Sequence, residues 1–224
     1  MTMDVAGFER ALVRHCSPTL AGMKPACLFN VPGEFACDVD EEPAARLVAW
    51  RAANERRQRL ACLIDTEREL LAPAGIDLVA IAHRRCGALV YVFRPNLLAA
   101  ALRERPVSDQ LAAWGYRTSG PGWLPKALRQ LGAKLERCHG SDEGARFPHE
   151  VGLFLGYPYA DVMGFIEHDG RDYLCCGCWK VYEERERAEA CFERYRRCTQ
   201  AYASLLEMGA SVGDLARVRI GSAA

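Results

Sequence analysis

The sequence predicts an α+β fold: a small, mostly antiparallel sheet of about four strands, covered by several helices and followed by a long C-terminal helix. Three observations carry this expectation. Two short apolar runs, Ile76–His83 and Ala88–Phe93, stand either side of Arg84-Arg85-Cys86-Gly87 and read as a β-hairpin. Much of the remaining chain falls into stretches with helical spacing of apolar residues, bounded by Pro or Gly. The last of these, Glu183–Met208, is long and stops at Gly209.

Taken in order, Asp4–Arg14 is expected as a short helix built on Val5, Phe8, Leu12 and Val13, stopped by His15-Cys16-Ser17-Pro18. Ala26–Val31 (ACLFNV) is a strand closed by Pro32-Gly33. A polar signal from Asp40, with Pro43 near the first turn, opens a long helix to about Leu71. Its apolar set is Leu47, Val48, Trp50, Leu60, Leu63 and Ile64, only loosely periodic, and Pro73-Ala74-Gly75 ends it. Beyond the hairpin, Arg94-Pro95 starts a helix through about Arg105, and Val107–Trp114 and Leu124–Arg137 are two more. Gly140–Ala145 is polar and reads as a loop. Pro148 suits the first turn of a helix ended by Gly156, and Pro158 starts another with Val162, Met163, Phe165 and Ile166 as its buried side. Asp169-Gly170 is a turn, and Asp172–Tyr182 reads as a strand. With no internal repeat and no long linker, residues 1–224 are expected to form a single domain.

Half of the residues are hydrophobic and 26% are charged, the balance of a globular chain. The 29 basic and 29 acidic side chains cancel, which argues against a dedicated nucleic-acid partner. Arginine runs such as Arg56-Arg57 and Arg196-Arg197 are interleaved with Glu, as on solvated helix faces. Charges stand where a signal peptide would need an apolar core, and no run approaches a membrane span. A cytoplasmic bacterial protein without a membrane partner is therefore expected. Eleven cysteines, in a reducing compartment, are more often buried, metal-bound or reactive than paired.

The chemistry concentrates in Phe147–Tyr182. No phosphate-binding GxxxxGK[ST] or GxGxxG motif and no GxSxG nucleophile elbow between a strand and a helix exists in the chain. His149-Glu150 begins like the zinc motif HExxH, but position 153 is Leu, so the second ligand is missing. In Cys175-Cys176-Gly177-Cys178 the flanks look like strand, whereas a redox CxxC wants a helix N-terminus. On an ideal strand Cys176, Cys178 and Lys180 share one face, the two cysteines about 6.6 Å apart, and two thiolates there can reach one soft metal ion. A structural zinc needs four ligands, so His149, Cys16 or Cys198 would have to join from elsewhere in the fold. The plainer reading makes these cysteines small apolar fillers. Cys191, Tyr195, Cys198 and Tyr202 share one face of the last helix and read as core packing, from which Cys198 can approach Cys178 if the helix meets the strand. Glu150 in a first helical turn is accounted for by the helix dipole alone. Tyr157 and Tyr159, flanking Pro158, either line a pocket or pack, and Lys180 reads as a snorkelling surface residue or a site group.

Four pieces resemble a known family: HCSPTLAGMKPACLF (15–29), ALVYVFRP (88–95), FPHEVGLFLGYPYADVMGFIEH (147–168), and GCWKVY with the following AxxCFERYRRCTQAY (177–202). On these the chain is similar to the DUF3793 family of bacterial proteins, a likeness that spans nearly its whole length. The resemblance implies that Cys16, Pro18, Lys24, Pro25, His149, Glu150, Gly156, Tyr157, Pro158, Trp179, Lys180 and Cys198 are the family's characteristic positions. It implies no activity.

Three functions follow as expectations. The first is a Cys/His-lined site for a metal ion, zinc or iron, or for a small cofactor. Cys16, His149, Cys178 and Cys198 would be ligands, Glu150 and Lys180 would support them or touch substrate, and Tyr157, Tyr159 and Trp179 would contact the cofactor. The second is a thiol-dependent or redox enzyme with Cys16 or Cys178 as nucleophile and His149, Glu150 and Lys180 as further catalytic candidates. The third is a non-catalytic adaptor whose FLGYP tyrosines and Trp179 meet a protein. All three ask whether the Pro148-His149-Glu150 turn meets the Gly177–Lys180 segment.

Overall fold

A computed structural model describes residues 3–37, 42–138 and 147–217. The polar signal at Asp40 and the Gly140–Ala145 segment lie outside the described residues. Strands β1 (Ala26–Val31), β2 (Asp77–Arg84) and β3 (Gly87–Phe93) form an antiparallel sheet in the order β1-β3-β2. The β2–β3 connection is the expected hairpin, with Arg84 paired to Gly87 across Arg85-Cys86. All seven residues of β3 are buried, because side chains alternate to opposite faces and both faces are covered.

Ala88, Val90 and Val92 point into one core; Leu89, Tyr91 and Phe93 point into the other. The first core is closed by α1 (Val5–Leu20), α2 (Pro43–Leu71), α8 (Arg185–Glu207) and α9 (Val212–Arg217). The second is closed by α3 (Pro95–Arg103), α4 (Val107–Ala113), α5 (Trp123–Arg137), α6 (Val151–Phe154) and α7 (Tyr159–Glu167). A β-bulge between Ala80 and Ala82 changes the phase of β2, so that Leu78 serves the first core and Ala82 the second. At the bulge α5 comes in on Gly132, where a Cβ would stand 2.2 Å from the Ile81 carbonyl oxygen.

Several expectations are corrected in detail. Helix α1 runs through Pro18 instead of stopping near Arg14. A proline in the last turn forfeits one intrahelical bond, and here the Pro18 carbonyl still accepts from Met23 N (2.8 Å) and Lys24 N (3.2 Å). In α2, Leu47, Val48 and Trp50 are exposed and the buried residues are Ala53, Leu60, Ile64, Glu67 and Leu71. The Asp172–Tyr182 segment is not one strand but a two-stranded pair, β4 (Cys175–Cys176) and β5 (Lys180–Val181), separate from the main sheet. Helix α9 was not expected; Ser211 and Asp214 cap it reciprocally. Cys16 and Cys27 are paired in a disulfide joining α1 to β1, with Cα atoms 5.7 Å apart. Among the described residues no helix is long and apolar enough to cross a membrane.

Glu67 is the anomalous member of the first layer. It is 2% exposed, and its Oε2 has no hydrogen-bond partner among the described residues. Desolvation, then the nearby charge of Glu9, pushes its carboxyl up to about 7. Between its unfolded value and that level the folded chain holds a proton that the unfolded chain has lost. This stability is therefore fully present below the unfolded pKa and is lost as pH rises through about 7. Glu67→Gln should raise unfolding free energy by about 2 kcal/mol at pH 8 and by much less at pH 5, as read by urea titration at both pH values.

Candidate functional site

The site is built where the second layer turns back over the end of α1. Tyr91 Oη donates to the Phe154 carbonyl (2.5 Å) and fixes α6 to the central strand. Gly156 then takes φ +74°, and a Cβ there would stand 2.3 Å from Pro25 Cγ. Both facts demand glycine. The close approach lays the Tyr157 ring over the Lys24 ammonium, Nζ to centroid 4.8 Å. Lys24 is 9% exposed, and burial lowers its pKa to about 8 against the opposing pull of the Cys178 and Cys191 sulfurs.

The facing wall is the β4–β5 hairpin, held by the buried carboxylate of Asp161 on α7. Asp161 Oδ2 accepts from Trp179 Nε1 (2.6 Å), and Oδ1 accepts from the backbone N–H groups of Tyr182 (2.7 Å) and Glu183 (3.1 Å). Three donors satisfy a charge that would otherwise be costly to bury. Trp179 so oriented stacks on Tyr157 (5.1 Å between centroids) and meets Phe192 of α8 edge-on (4.6 Å). Gly177 lies against the same ring, where a Cβ would be 2.3 Å from Phe192 Cδ2.

Between these walls is a cavity of about 310 Å³, and the Pro148-His149-Glu150 turn does meet the hairpin there. Its aromatic lining comes from Phe147, Tyr157, Phe165 and Trp179, and its polar groups include His149, Asp161, Cys178 and Lys180. His149 sits between the rings of Phe147 (5.6 Å) and Phe165 (5.1 Å). Lys180 Nζ donates to the Gly170 carbonyl (2.6 Å) and lies over Tyr173 (4.8 Å) and Phe165 (5.5 Å). No carboxylate stands within ion-pair distance of it among the described residues.

The candidate residues thus separate. His149, Tyr157, Cys178, Trp179 and Lys180 share the cavity. Glu150 turns away from it and accepts from Lys134 Nζ (2.6 Å) and Tyr116 Oη (3.1 Å), a part-buried ion pair fastening α6 to α5. Tyr159 Oη donates to Gln110 (3.3 Å). Cys16 is bonded to Cys27 and so offers no thiolate. Cys198 lies buried in the first core, where desolvation raises its thiol to about 11. The proposed four-ligand set is not assembled, and among the described residues no three His, Cys, Asp or Glu side chains gather as a metal site. Cys176 and Cys178 do not share a strand face either, because Gly177 N donates to the Trp179 carbonyl (3.0 Å) and the chain reverses there.

Sequence reasoning did not single out Asp161, Phe147 or Phe165 for the site. Nor did it see that Lys24 lies beneath Tyr157, and it read Cys191 only as packing. Asp161 two residues into α7 looks like an ordinary first-turn acid. Removing it in Asp161→Ala leaves the indole and two backbone N–H groups unpaired. The variant should lose about 2–4 kcal/mol in urea unfolding and show altered Trp emission in its native baseline.

A family model described as a protein of unknown function, DUF3793, matches residues 12–216 of the chain. Neither a curated protein nor a solved structure matches it significantly.

Proposed function

The chain belongs to the DUF3793 family, and we propose that its role is to bind a small planar aromatic molecule carrying an anionic group in the cavity between α6, α7 and the β4–β5 hairpin. The observation that carries this reading is Lys180. Its ammonium stands on an aromatic-walled cavity with one carbonyl acceptor and no carboxylate partner among the described residues. A cation so placed is complemented by an anion delivered with the ligand. The carboxylate of Asp161 does not serve that purpose, being engaged by three donors already. Trp179 and Tyr157 supply ring faces, and His149 offers a donor or acceptor on the same wall. The cavity volume of about 310 Å³ suits a ligand of two or three rings. Binding is favoured over nucleophilic catalysis by Cys178, because desolvation raises that thiol's pKa despite the opposing effect of Lys24. A metal ion finds no comparable support in the arrangement of side chains.

The test uses 8-anilinonaphthalene-1-sulfonate, an aromatic sulfonate that brightens in apolar sites, with the neutral N-phenyl-1-naphthylamine beside it. The sulfonate should bind at one site per chain, and Lys180→Met should weaken it about tenfold, roughly one charge-assisted hydrogen bond, while leaving the neutral dye unchanged. Trp179→Ala should weaken both. Equal loss of both dyes in Lys180→Met, or no saturable binding of the sulfonate, would overturn the reading.

A further inference from the structure

The cavity has an apolar margin that a small ligand would leave in water. Phe147, part of the lining, is 46% exposed. Tyr173 and Leu174, which lead into β4, are 44% and 52% exposed and stand outside the lining. Lys180 joins the two regions. It lines the cavity, and its ammonium lies over the ring of Phe165 within the lining (5.5 Å) and over that of Tyr173 outside it (4.8 Å). The cation therefore marks the place where cavity gives way to margin. Cys176, directly opposite Lys180 in the hairpin, is exposed and also lines the cavity, so β4 runs along the mouth. This strand pairs with β5 alone, and its outer edge has no strand partner among the described residues. Edges of this kind receive extended peptides.

We infer that the aromatic anion taken by this cavity is the end of a peptide chain, a C-terminal tryptophan preceded by apolar residues. Its indole enters between the rings, its carboxylate meets Lys180, and the preceding residues lie extended along β4 over Tyr173 and Leu174. The inference rests on the reading of the cavity given above and narrows it to one class of ligand. In a C-terminal residue the carboxylate, the side chain and the rest of the chain all leave one carbon. A carboxylate at Lys180 puts that carbon at the mouth, with the ring directed inwards and the chain directed along the margin. A free aromatic acid satisfies the cavity and the cation but covers none of the margin. The indole supplies a two-ring planar group with a large apolar face. Backbone hydrogen bonds to the β4 edge serve any sequence, so selectivity falls on the free carboxylate and the last side chains.

The full-length protein is titrated into the fluorescein-labelled peptide Ser-Gly-Gly-Leu-Val-Trp and followed by fluorescence anisotropy, with the anilinonaphthalene sulfonate measured in parallel. The peptide should bind saturably at one site per chain, and the sulfonate should displace it. Amidation of the peptide carboxylate should weaken binding about tenfold, the loss of one charge-assisted hydrogen bond. Leu174→Ser, outside the cavity, should weaken the peptide about fivefold, as half-burial of a leucine implies, and leave the sulfonate unchanged. Indolepropionate, which keeps the ring and the carboxylate but has no chain, should compete about tenfold more weakly than the unlabelled peptide. Absence of peptide binding, equal binding of the amide, indolepropionate as strong as the peptide, or an unchanged peptide affinity in Leu174→Ser would each overturn the inference. In any of these cases saturable, Lys180-dependent binding of the sulfonate leaves the small-ligand reading of the cavity standing, whereas its absence removes both.

Discussion

The guanidinium of Arg94 ties together parts of the fold that share no strand. It donates to the carbonyls of Thr19 (2.8 Å) and Leu20 (2.5 Å) at the end of α1, and to Ala74 (2.7 Å) in the turn after α2. Carbonyls at a helix end have no intrahelical donors, and a planar cation with several N–H groups satisfies more than one at once. The Arg94 backbone N–H meanwhile donates to Pro25 (2.9 Å) where β1 begins. The exit of α1, the entry of β1 and the end of β3 are therefore held in one place. The intervening Met23-Lys24-Pro25 corner inherits that rigidity, and it is on this corner that the floor of the cavity is laid.

Asp161 does for the hairpin wall what Arg94 does for the floor. A two-residue strand pair has little stability of its own, so the Gly177–Trp179 turn needs anchoring from outside. The buried carboxylate anchors it through a side chain and two backbone groups, just ahead of the N-terminus of α8. Fixed floor and fixed wall give a cavity whose shape owes little to its own lining. Its polar groups can be positioned for a partner molecule instead of for the fold, and Lys180 shows this most plainly.

How far the sequence disclosed this depends on how local each cause is. The β2–β3 hairpin and β1 were legible because a short turn between apolar runs settles them, and α2 and α8 because long helices carry redundant signals. The His149 turn and the Gly177–Lys180 segment were recognisable as chemically rich, and they do meet at one cavity. The hairpin within Asp172–Tyr182 was not legible, since its reversal depends on Gly177 pressing against Phe192, fifteen positions away. Cys16 and Cys198 looked like ligands by residue type alone, yet the pairing of one and the burial of the other follow from the packing of α1 against β1 and α8. The exposure of Leu47, Val48 and Trp50 was hidden for the same reason: α2 extends past the layer that covers its second half.

The burial of β3 on both faces has a mechanical consequence. Ala88, Val90 and Val92 belong to one core and Leu89, Tyr91 and Phe93 to the other, on a single backbone. A slip of one residue would exchange the two sets, bringing Tyr91 and Phe93 among side chains shaped around alanine and valine. No partial slip relieves that conflict, because both cores object together. The central strand thus behaves as a key cut on two edges, and the neighbouring strands keep their registers by pairing with it.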